Sequence, residues 1–283
     1  MQFAETWDVS TMKIILFVTL IALPLLGACQ DTRQAQEDLA GIIQDMDEAE
    51  RRLSEEVRRT SVPAMSLRQM FDDPNVQRLA RAAGRGDVEA IDRLVAEGVD
   101  VNSRGSQSAT PLYWAFRSLR GFNRLLALGA EPNAIFDDGT SIMHAAVEQE
   151  DSEFLRQLLA HGGDPNLRAG SLKEPLLFTA MLGYGLDKVE LLLEAGADLE
   201  ARGFDGYTPL LAGTKLNQFD AIYVLLENGA DYTAETDYGR SLADLIETRR
   251  PLIEPDSERM QWLNRVSDWL RSKGVEISGQ ENQ

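Results

Sequence analysis

The chain has 283 residues, with 28 Lys and Arg against 46 Asp and Glu, a formal net charge of −18 and a single cysteine. Contact with nucleic acid or anionic lipid relies on Lys and Arg that neutralise phosphates, so this balance argues against both classes of partner and favours a basic one. One cysteine excludes a disulfide within the chain.

A short apolar run follows a basic residue near the N-terminus. Lys13 precedes IILFVTLIALPLLGA, and this run ends at Cys29. A positive charge, an apolar stretch and small residues in this order are typical of a secretory signal, and the run is short for a membrane span. Residues 1–11 are acidic and precede a better start at Met12, which we predict to be the true first residue.

Residues 26–29, LGAC, resemble a bacterial lipobox. The resemblance implies that residues 1–28 are removed and that Cys29 is the lipidation site, since several acyl chains on one cysteine anchor a protein stably. Gln30 stands where Asp would imply retention in the inner membrane, so the resemblance favours the outer membrane, facing the periplasm. A buried core thiol is the alternative role for Cys29.

A charged amphipathic segment fills most of residues 29–65, the predicted membrane tether. From Gln34 to about Thr60, apolar residues recur at steps of three and four with Asp, Glu and Arg between them. This spacing predicts a helix with a narrow apolar seam. The helix serves as a spacer, lies back on the following domain, or pairs with another helix.

From Gln77 onward the chain repeats a pattern with a period of about 33 residues. Thr or Ser at the start of a copy can cap a first helix, and Pro fits its first turn. A second helix then ends at a glycine suited to positive φ, at positions 98, 129, 162, 196 and 229. The copies begin at Gln77 (QRLARAA), Thr110 (TPLYWAF), Ser141 (SIMHAAV), Glu174 (EPLLFTA), Thr208 (TPLLAGT) and Ser241 (SLADLIE).

This pattern resembles the ankyrin repeat, with its TPLHxA helix start, its LLxxGA helix end and its Asp/Asn turn. The resemblance implies an all-α solenoid of helix-turn-helix repeats with β-hairpin-like fingers. We expect about six repeats over residues 66–275, including caps, and a flexible tail over residues 276–283. Ser66–Asn75 is the predicted N-terminal cap. The predicted C-terminal cap consists of Trp262, Leu263, Val266, Trp269 and Leu270.

Residues suited to catalysis or metal binding are scarce. His144 falls on the histidine of the TPLHxA motif, which implies hydrogen bonding between neighbouring loops, and His161 precedes a helix-ending glycine. The sequence contains no nucleophile elbow, Cys–His pair, phosphate loop or calcium loop. Asp137, Asp138 and the run 148–151 lack ordered ligand spacing and are interpreted as solvated turns. We therefore predict a protein that is not an enzyme and needs no metal or cofactor.

In ankyrin proteins the concave face is formed by the fingers and the exposed side of each first helix, which implies a partner-binding surface here. Aromatic anchors among acidic residues are typical of a protein-binding hot spot. Each aromatic could instead pack against its neighbouring finger. The candidate residues of this face are Asp137, Asp138, Glu148, Met181, Leu182, Phe204, Asp205, Tyr207, Lys215, Asp237 and Tyr238, with Ser106, Gln107, Thr140, Arg240, Arg117, Ser118, Gln149 and Leu216 beside them.

Three functions are compatible with these features. The chain resembles ankyrin-repeat lipoproteins encoded beside type VI secretion effectors, which implies an immunity protein that binds and neutralises a secreted hydrolase. The alternative is a periplasmic scaffold for an envelope enzyme or transport complex. A third possibility, an enzyme or stress-protection accessory, is disfavoured by the missing catalytic residues.

Overall fold

The computed structural model describes residues 66–170 and 173–277, all of them in the compact unit Arg58–Gln283. The predicted signal, Cys29 and the charged helix lie outside the described residues. The described chain is mostly helical. Its α-helices are α1 Leu67–Met70, α2 Pro74–Arg85, α3 Val88–Ala96, α4 Pro111–Trp114, α5 Leu119–Ala127, α6 Ile142–Val147, α7 Glu153–Ala160, α8 Leu176–Ala180, α9 Leu186–Glu194, α10 Pro209–Ala212, α11 Phe219–Glu227, α12 Leu242–Arg249 and α13 Glu258–Ser272.

Hydroxyl caps begin several of the first helices, as predicted. The Thr110 hydroxyl accepts a hydrogen bond from the Tyr113 amide at 3.2 Å, and Ser141 accepts from His144 at 3.2 Å. Such a cap satisfies one of the free amides in the first turn. The copy at Glu174 differs, because α8 follows Pro175 and has no side-chain cap. Its finger is closed instead by two short antiparallel strands, β1 Arg168–Ala169 and β2 Glu174–Pro175.

Glycine ends each second helix in a left-handed conformation. The φ angles at positions 98, 129, 162, 196 and 229 lie between +84° and +97°. Residues with a Cβ are strained at these angles, so the recurring glycine is needed for the backbone turn. The predicted helix ends are confirmed.

Stacked helix pairs bury one continuous core. Its largest members include Phe122, Leu155, Phe178 and Phe219, each almost fully enclosed. A helix pair alone would leave half of this apolar surface in water, so neighbouring pairs stabilise one another. Within the described residues, no helix is long and apolar enough to cross a membrane.

Both predicted caps cover the ends of the array. At the N-terminal end, Leu67, Met70 and Phe71 are buried in a small cluster of their own. At the C-terminal end, α13 packs against α11 and buries Leu263, Val266 and Leu270. Trp269 is half-buried, and its indole N–H donates to Glu227 at 2.7 Å. These residues close a core that would otherwise be open to solvent.

Asparagine side chains join the turn of each repeat to the next. Asn102 donates to the Gly129 carbonyl at 3.0 Å and accepts from the Glu131 amide at 2.8 Å. Asn133 and Asn166 make the same pair of bonds one and two repeats further on. The ladder keeps successive repeats in register, so the fingers that follow these turns project at regular intervals.

Candidate protein-binding surface

Backbone hydrogen bonds connect neighbouring fingers at three places in the described chain. The Asp137 amide donates to the Gln107 carbonyl at 3.2 Å, and the Asp237 amide donates to the Asp205 carbonyl at 3.0 Å. Between these two contacts, Gly170 donates to Gly139 at 2.6 Å. Each of these fingers is therefore fixed by its neighbour, and the side chains at its tip do not lie on an isolated loop.

Arginines at one repeat position reinforce these contacts. Arg104, Arg168 and Arg202 each donate from Nη1 to a carbonyl of their own finger and to a carbonyl of the next finger, over 2.8–3.2 Å. Sequence reasoning missed this ladder. Each arginine lies six residues before the helix-start position of its repeat, so its recurrence could have been found from the aligned copies.

His144 links two repeats, as the resemblance implied. Its Nε2 lies 3.2 Å from the Glu174 carbonyl, and its Nδ1 lies 2.8 Å from the Ser141 hydroxyl. A carbonyl only accepts, so Nε2 carries the hydrogen and Nδ1 accepts from Ser141. Burial lowers the pKa of His144, which keeps the ring neutral. The histidine therefore has a structural role.

Two aromatic side chains project into solvent from neighbouring fingers. Phe204 is 52% exposed and Tyr238 is 73% exposed. The Tyr238 hydroxyl donates to the Asp205 carboxylate at 3.3 Å, across the boundary between the two fingers. The negative charge of Asp205 raises the pKa of Tyr238. Each of two neighbouring fingers therefore carries one exposed ring.

Cations lie near Tyr207, on the same finger as Phe204. Lys215 Nζ lies 4.1 Å from the centroid of the Tyr207 ring and 5.6 Å from that of the buried Phe178. Burial raises the pKa of Tyr207, and the charge of nearby Arg240 opposes that shift. The Arg240 guanidinium is itself oriented by Thr248 Oγ1 at 2.7 Å. The surface around Phe204 and Tyr238 is therefore mixed in charge, and its cations are Lys215 and Arg240, both predicted on this face.

The finger at residues 135–141 differs in the side chains that it exposes. Asp137 and Asp138 are exposed, but both are engaged: the Ser108 hydroxyl donates to Asp137 at 2.5 Å, and the Thr140 hydroxyl donates to Asp138 at 2.6 Å. Burial and then the charge of half-buried Glu148 raise the pKa of nearby Tyr113. Hydrogen-bonded carboxylates rather than apolar rings are exposed at this finger.

Several predicted contact residues contribute less surface than expected. Met181 is fully buried, so its predicted place on the binding face is wrong. It follows the last residue of α8 and packs against the next repeat, where its Cε would be 2.5 Å from a Cβ placed on Gly213. Leu182 is half-buried, and the Ser118 hydroxyl caps α5 by accepting from the Gly121 amide. Leu216, 38% exposed, is the aliphatic side chain that this region offers to solvent.

Comparison with known proteins identifies the repeat. The family description "Ankyrin repeats (3 copies)" matches residues 142–236. Protein PhlB of Serratia liquefaciens is 35% identical over 52% of this chain and 66% of its own length. The palmitoyltransferase AKR1 of Lachancea kluyveri is 30% identical over 62% of this chain and 25% of its own. A human transient receptor potential cation channel, subfamily A member 1, is 33% identical over 33% of this chain and 8% of its own length.

The chain therefore contains ankyrin repeats, and it covers less than two thirds of each of these relatives. Its likeness to the palmitoyltransferases covers their ankyrin region only. Ankyrin repeats act in general as protein–protein interaction modules, so they imply a protein partner for this chain.

Proposed function

We propose that the array binds another protein through the surface around Phe204 and Tyr238. The observation that carries this proposal is the exposure of two aromatic rings on adjacent, hydrogen-bonded fingers. Large aromatic side chains left in water are unfavourable for a free protein, and they are the residues that most often dominate binding energy. The hydrogen bond from Tyr238 to Asp205 orders one ring in advance, which lowers the entropy lost on binding.

The charges around the rings favour specificity and fast association. Asp205, Lys215 and Arg240 all lie near Tyr207. A partner must therefore present a complementary arrangement of both signs. Such complementarity mainly speeds encounter and suppresses wrong partners. The exposed carboxylates of the finger at 135–141 extend the acidic part of the surface, which suits a partner with a basic patch.

We further propose that the partner is a secreted antibacterial hydrolase and that the chain is its immunity protein, tethered to the envelope and facing the periplasm. Support comes from the signal-like run before Cys29, the lipobox-like LGAC and the ankyrin array. Binding over the active site or substrate path of the hydrolase would protect the producing cell and its siblings.

The test is survival of a deletion strain under attack by its kin, complemented with wild-type protein or with Phe204→Ala/Tyr238→Ala. We expect the deletion to sensitise cells, wild type to restore survival, and the double variant to restore it poorly. Purified wild-type protein should also inhibit the hydrolase. If deletion leaves sensitivity unchanged and no bound hydrolase loses activity, the immunity role is wrong, and the scaffold role becomes the better account.

The tether is tested separately. Cys29→Ser should move the protein from the membrane fraction to the soluble fraction, while the melting temperature of the array stays unchanged. Retention of Cys29→Ser on membranes after a high-salt wash would show that lipidation at this cysteine is not the anchor.

A further inference from the structure

Charge is distributed unevenly along the array. Residues 66–127 hold nine Arg against seven Asp and Glu, whereas residues 128–277 hold 13 Lys and Arg against 27 Asp and Glu. The N-terminal end is therefore slightly basic in a protein that is otherwise strongly acidic. The positions of those arginines decide what this basic end can bind.

Three of them share one side of α2. Arg78, Arg81 and Arg85 are exposed, at helical steps of three and four. Residues spaced in this way fall on a common face. The opposite side of α2 buries Leu79 and Ala83 in the core. The arginines therefore line the solvent side of the first helix in repeat one, which belongs to the same row of helices as α4 and α6.

A fourth arginine continues this line onto the next repeat. Arg117 is exposed and lies over the indole of Trp114, with its Cζ 3.7 Å from the ring centroid, and Nη1 donates to the Trp114 carbonyl at 3.0 Å. The pair is adjacent to α2, because a Cβ placed on Gly84 would be 2.9 Å from Trp114 Cδ1 and 3.6 Å from Arg117 Cδ. We name Arg78, Arg81, Arg85 and Arg117 the arginine stripe.

Carboxylates of the described residues leave the arginine stripe unneutralised. In this end of the array the ion pairs join Arg120 to Glu89 and Arg124 to Asp92, on or next to the second helices. Within the described chain, no ion pair involves a residue of the stripe. Arg78 bonds to the neutral Asn75 at 3.3 Å. Stacking on Trp114 holds the Arg117 guanidinium in place while its outer face remains exposed.

We propose that the arginine stripe binds an acidic segment of the partner protein. This inference rests on the proposed protein-binding function and adds a second contact to it. Guanidinium groups pair with carboxylates in a bidentate geometry, and four of them in a row suit a short run of Glu or Asp. A nucleic acid or anionic membrane fits less well, because either would extend over the strongly acidic remainder of the array. With an acidic segment at repeats one and two, the partner would be bound in one orientation.

The experiment uses the full chain and a fluorescein-labelled glutamate peptide of about ten residues, followed by fluorescence anisotropy at low salt, where surface charges are least screened. Arg81→Glu/Arg117→Glu is compared with Arg259→Glu/Arg265→Glu. The second pair is a matched control: both residues are exposed, Arg265 lies over Trp262 at 4.4 Å, and the net charge changes equally.

We expect the stripe variant to bind the peptide roughly tenfold more weakly, since two attractions become repulsions, and the control less than twofold more weakly. Arg81→Gln/Arg117→Gln, which only removes charge, should lose less in the same direction with an unchanged circular dichroism spectrum. The inference is overturned if wild type does not bind the peptide, if both Glu variants weaken equally, or if a single-stranded oligothymidylate of equal charge binds as tightly as the peptide.

The peptide itself contains only glutamate, and any contact of its fluorescein label with Phe204 or Tyr238 would be shared by the stripe and control variants. The comparison of these two variants is therefore independent of the aromatic surface. Failure of peptide binding would remove the arginine stripe as a contact while leaving the aromatic surface untouched. Failure of partner binding at the aromatic surface, with the peptide still bound, would instead count against the proposed function.

Discussion

The two halves of the array differ in the aromatic residues that they expose. In the N-terminal half, Tyr113, Phe116, Phe122, Phe136 and Phe154 contact one another with ring centroids 5.0–5.9 Å apart, and Phe122 is fully buried. In the C-terminal half, Phe204 and Tyr238 are exposed at the finger tips. Both halves bury aromatic rings, Phe219 in the C-terminal half among them, and the exposed rings of the described chain lie at finger tips of the C-terminal half.

A shift of one residue accounts for much of this difference. Counted from the helix-start residues Ser141 and Thr208, Phe136 lies five positions earlier and Phe204 lies four. The Phe136 amide donates to the Thr140 carbonyl at 2.9 Å within its finger, whereas Phe204 begins the 3-10 turn Phe204–Gly206 at the tip of its finger. Phe136 turns inward to Tyr113 at 5.0 Å, while Phe204 turns outward. The position of an aromatic within a finger, and not its presence, decides its role.

The largest expected effect is the difference in stability between removing a buried aromatic ring and removing an exposed one. Phe122→Ala should lower the free energy of unfolding by about 3–5 kcal/mol, because a fully enclosed ring leaves a cavity between Phe116 and Phe154. Phe204→Ala should change it by less than about 0.5 kcal/mol. Urea unfolding followed by circular dichroism measures both. Equal losses would mean that the finger tip is part of the core.

The next effect concerns partner binding and should follow the opposite order. Phe204→Ala and Tyr238→Ala should each weaken partner binding by about 2 kcal/mol, mainly through faster dissociation. Surface plasmon resonance measures the rates. Asp205→Lys/Asp237→Lys should instead slow association, with a smaller effect at high salt. If the aromatic variants changed only the association rate, their role as anchors would be wrong.

A smaller effect tests the repeat register that both halves share. Gly196→Val should destabilise the array by about 1–2 kcal/mol, since its φ is +84° and a β-branched residue is strained there. A Cβ at this position meets nothing within 4 Å, so the loss reflects backbone strain alone. Gly196→Asn is the control and should lose less, because Asn tolerates this conformation. Val and Asn variants of equal stability would contradict the left-handed cap.

The smallest effect is a pH dependence at the junction of the two halves. Burial holds the pKa of His144 below 6.5, so the ring is neutral in both states at higher pH. As pH falls below about 6.5, the unfolded chain binds the proton first, and stability should fall by at most about 1.4 kcal/mol per pH unit. Urea unfolding at pH 7.5 and 5.5 measures the fall. His144→Gln should reduce it, and an equal fall in that variant would exclude His144 as its cause.

Much of the fold could be predicted from the sequence, because the residues that end and cap helices act locally. Thr110 and Gly196 take their predicted positions since a cap or a positive φ depends on the nearest few residues. The terminal caps could be predicted because the end repeats would otherwise leave their apolar faces open to solvent. The binding surface depends instead on contacts between repeats. Met181 has the spacing of an exposed residue, yet the absence of a side chain at Gly213 leaves room for it in the core.

The charge of the surface was harder to predict for the same reason. The repeat register predicts Lys215 and Arg240 on this face, but their proximity to Tyr207 follows only from the stacking of the repeats. The arginine ladder of Arg104, Arg168 and Arg202 also depends on carbonyls of the following repeat. Hydrogen bonds between residues more than 30 positions apart can be assigned only once the stacking of the repeats is known.

The central claim is that Phe204 and Tyr238 are the anchors for a protein partner. The most direct measurement is quantitative capture of proteins from the producing cell's periplasm and secretome on immobilised wild type, Phe204→Ala/Tyr238→Ala and Leu252→Ala. The third chain is a control, since Leu252 is 47% exposed and lies outside the fingers of the proposed surface. We predict that one protein is recovered by wild type and the control, and is lost from the aromatic variant. Equal recovery by all three chains would contradict the claim.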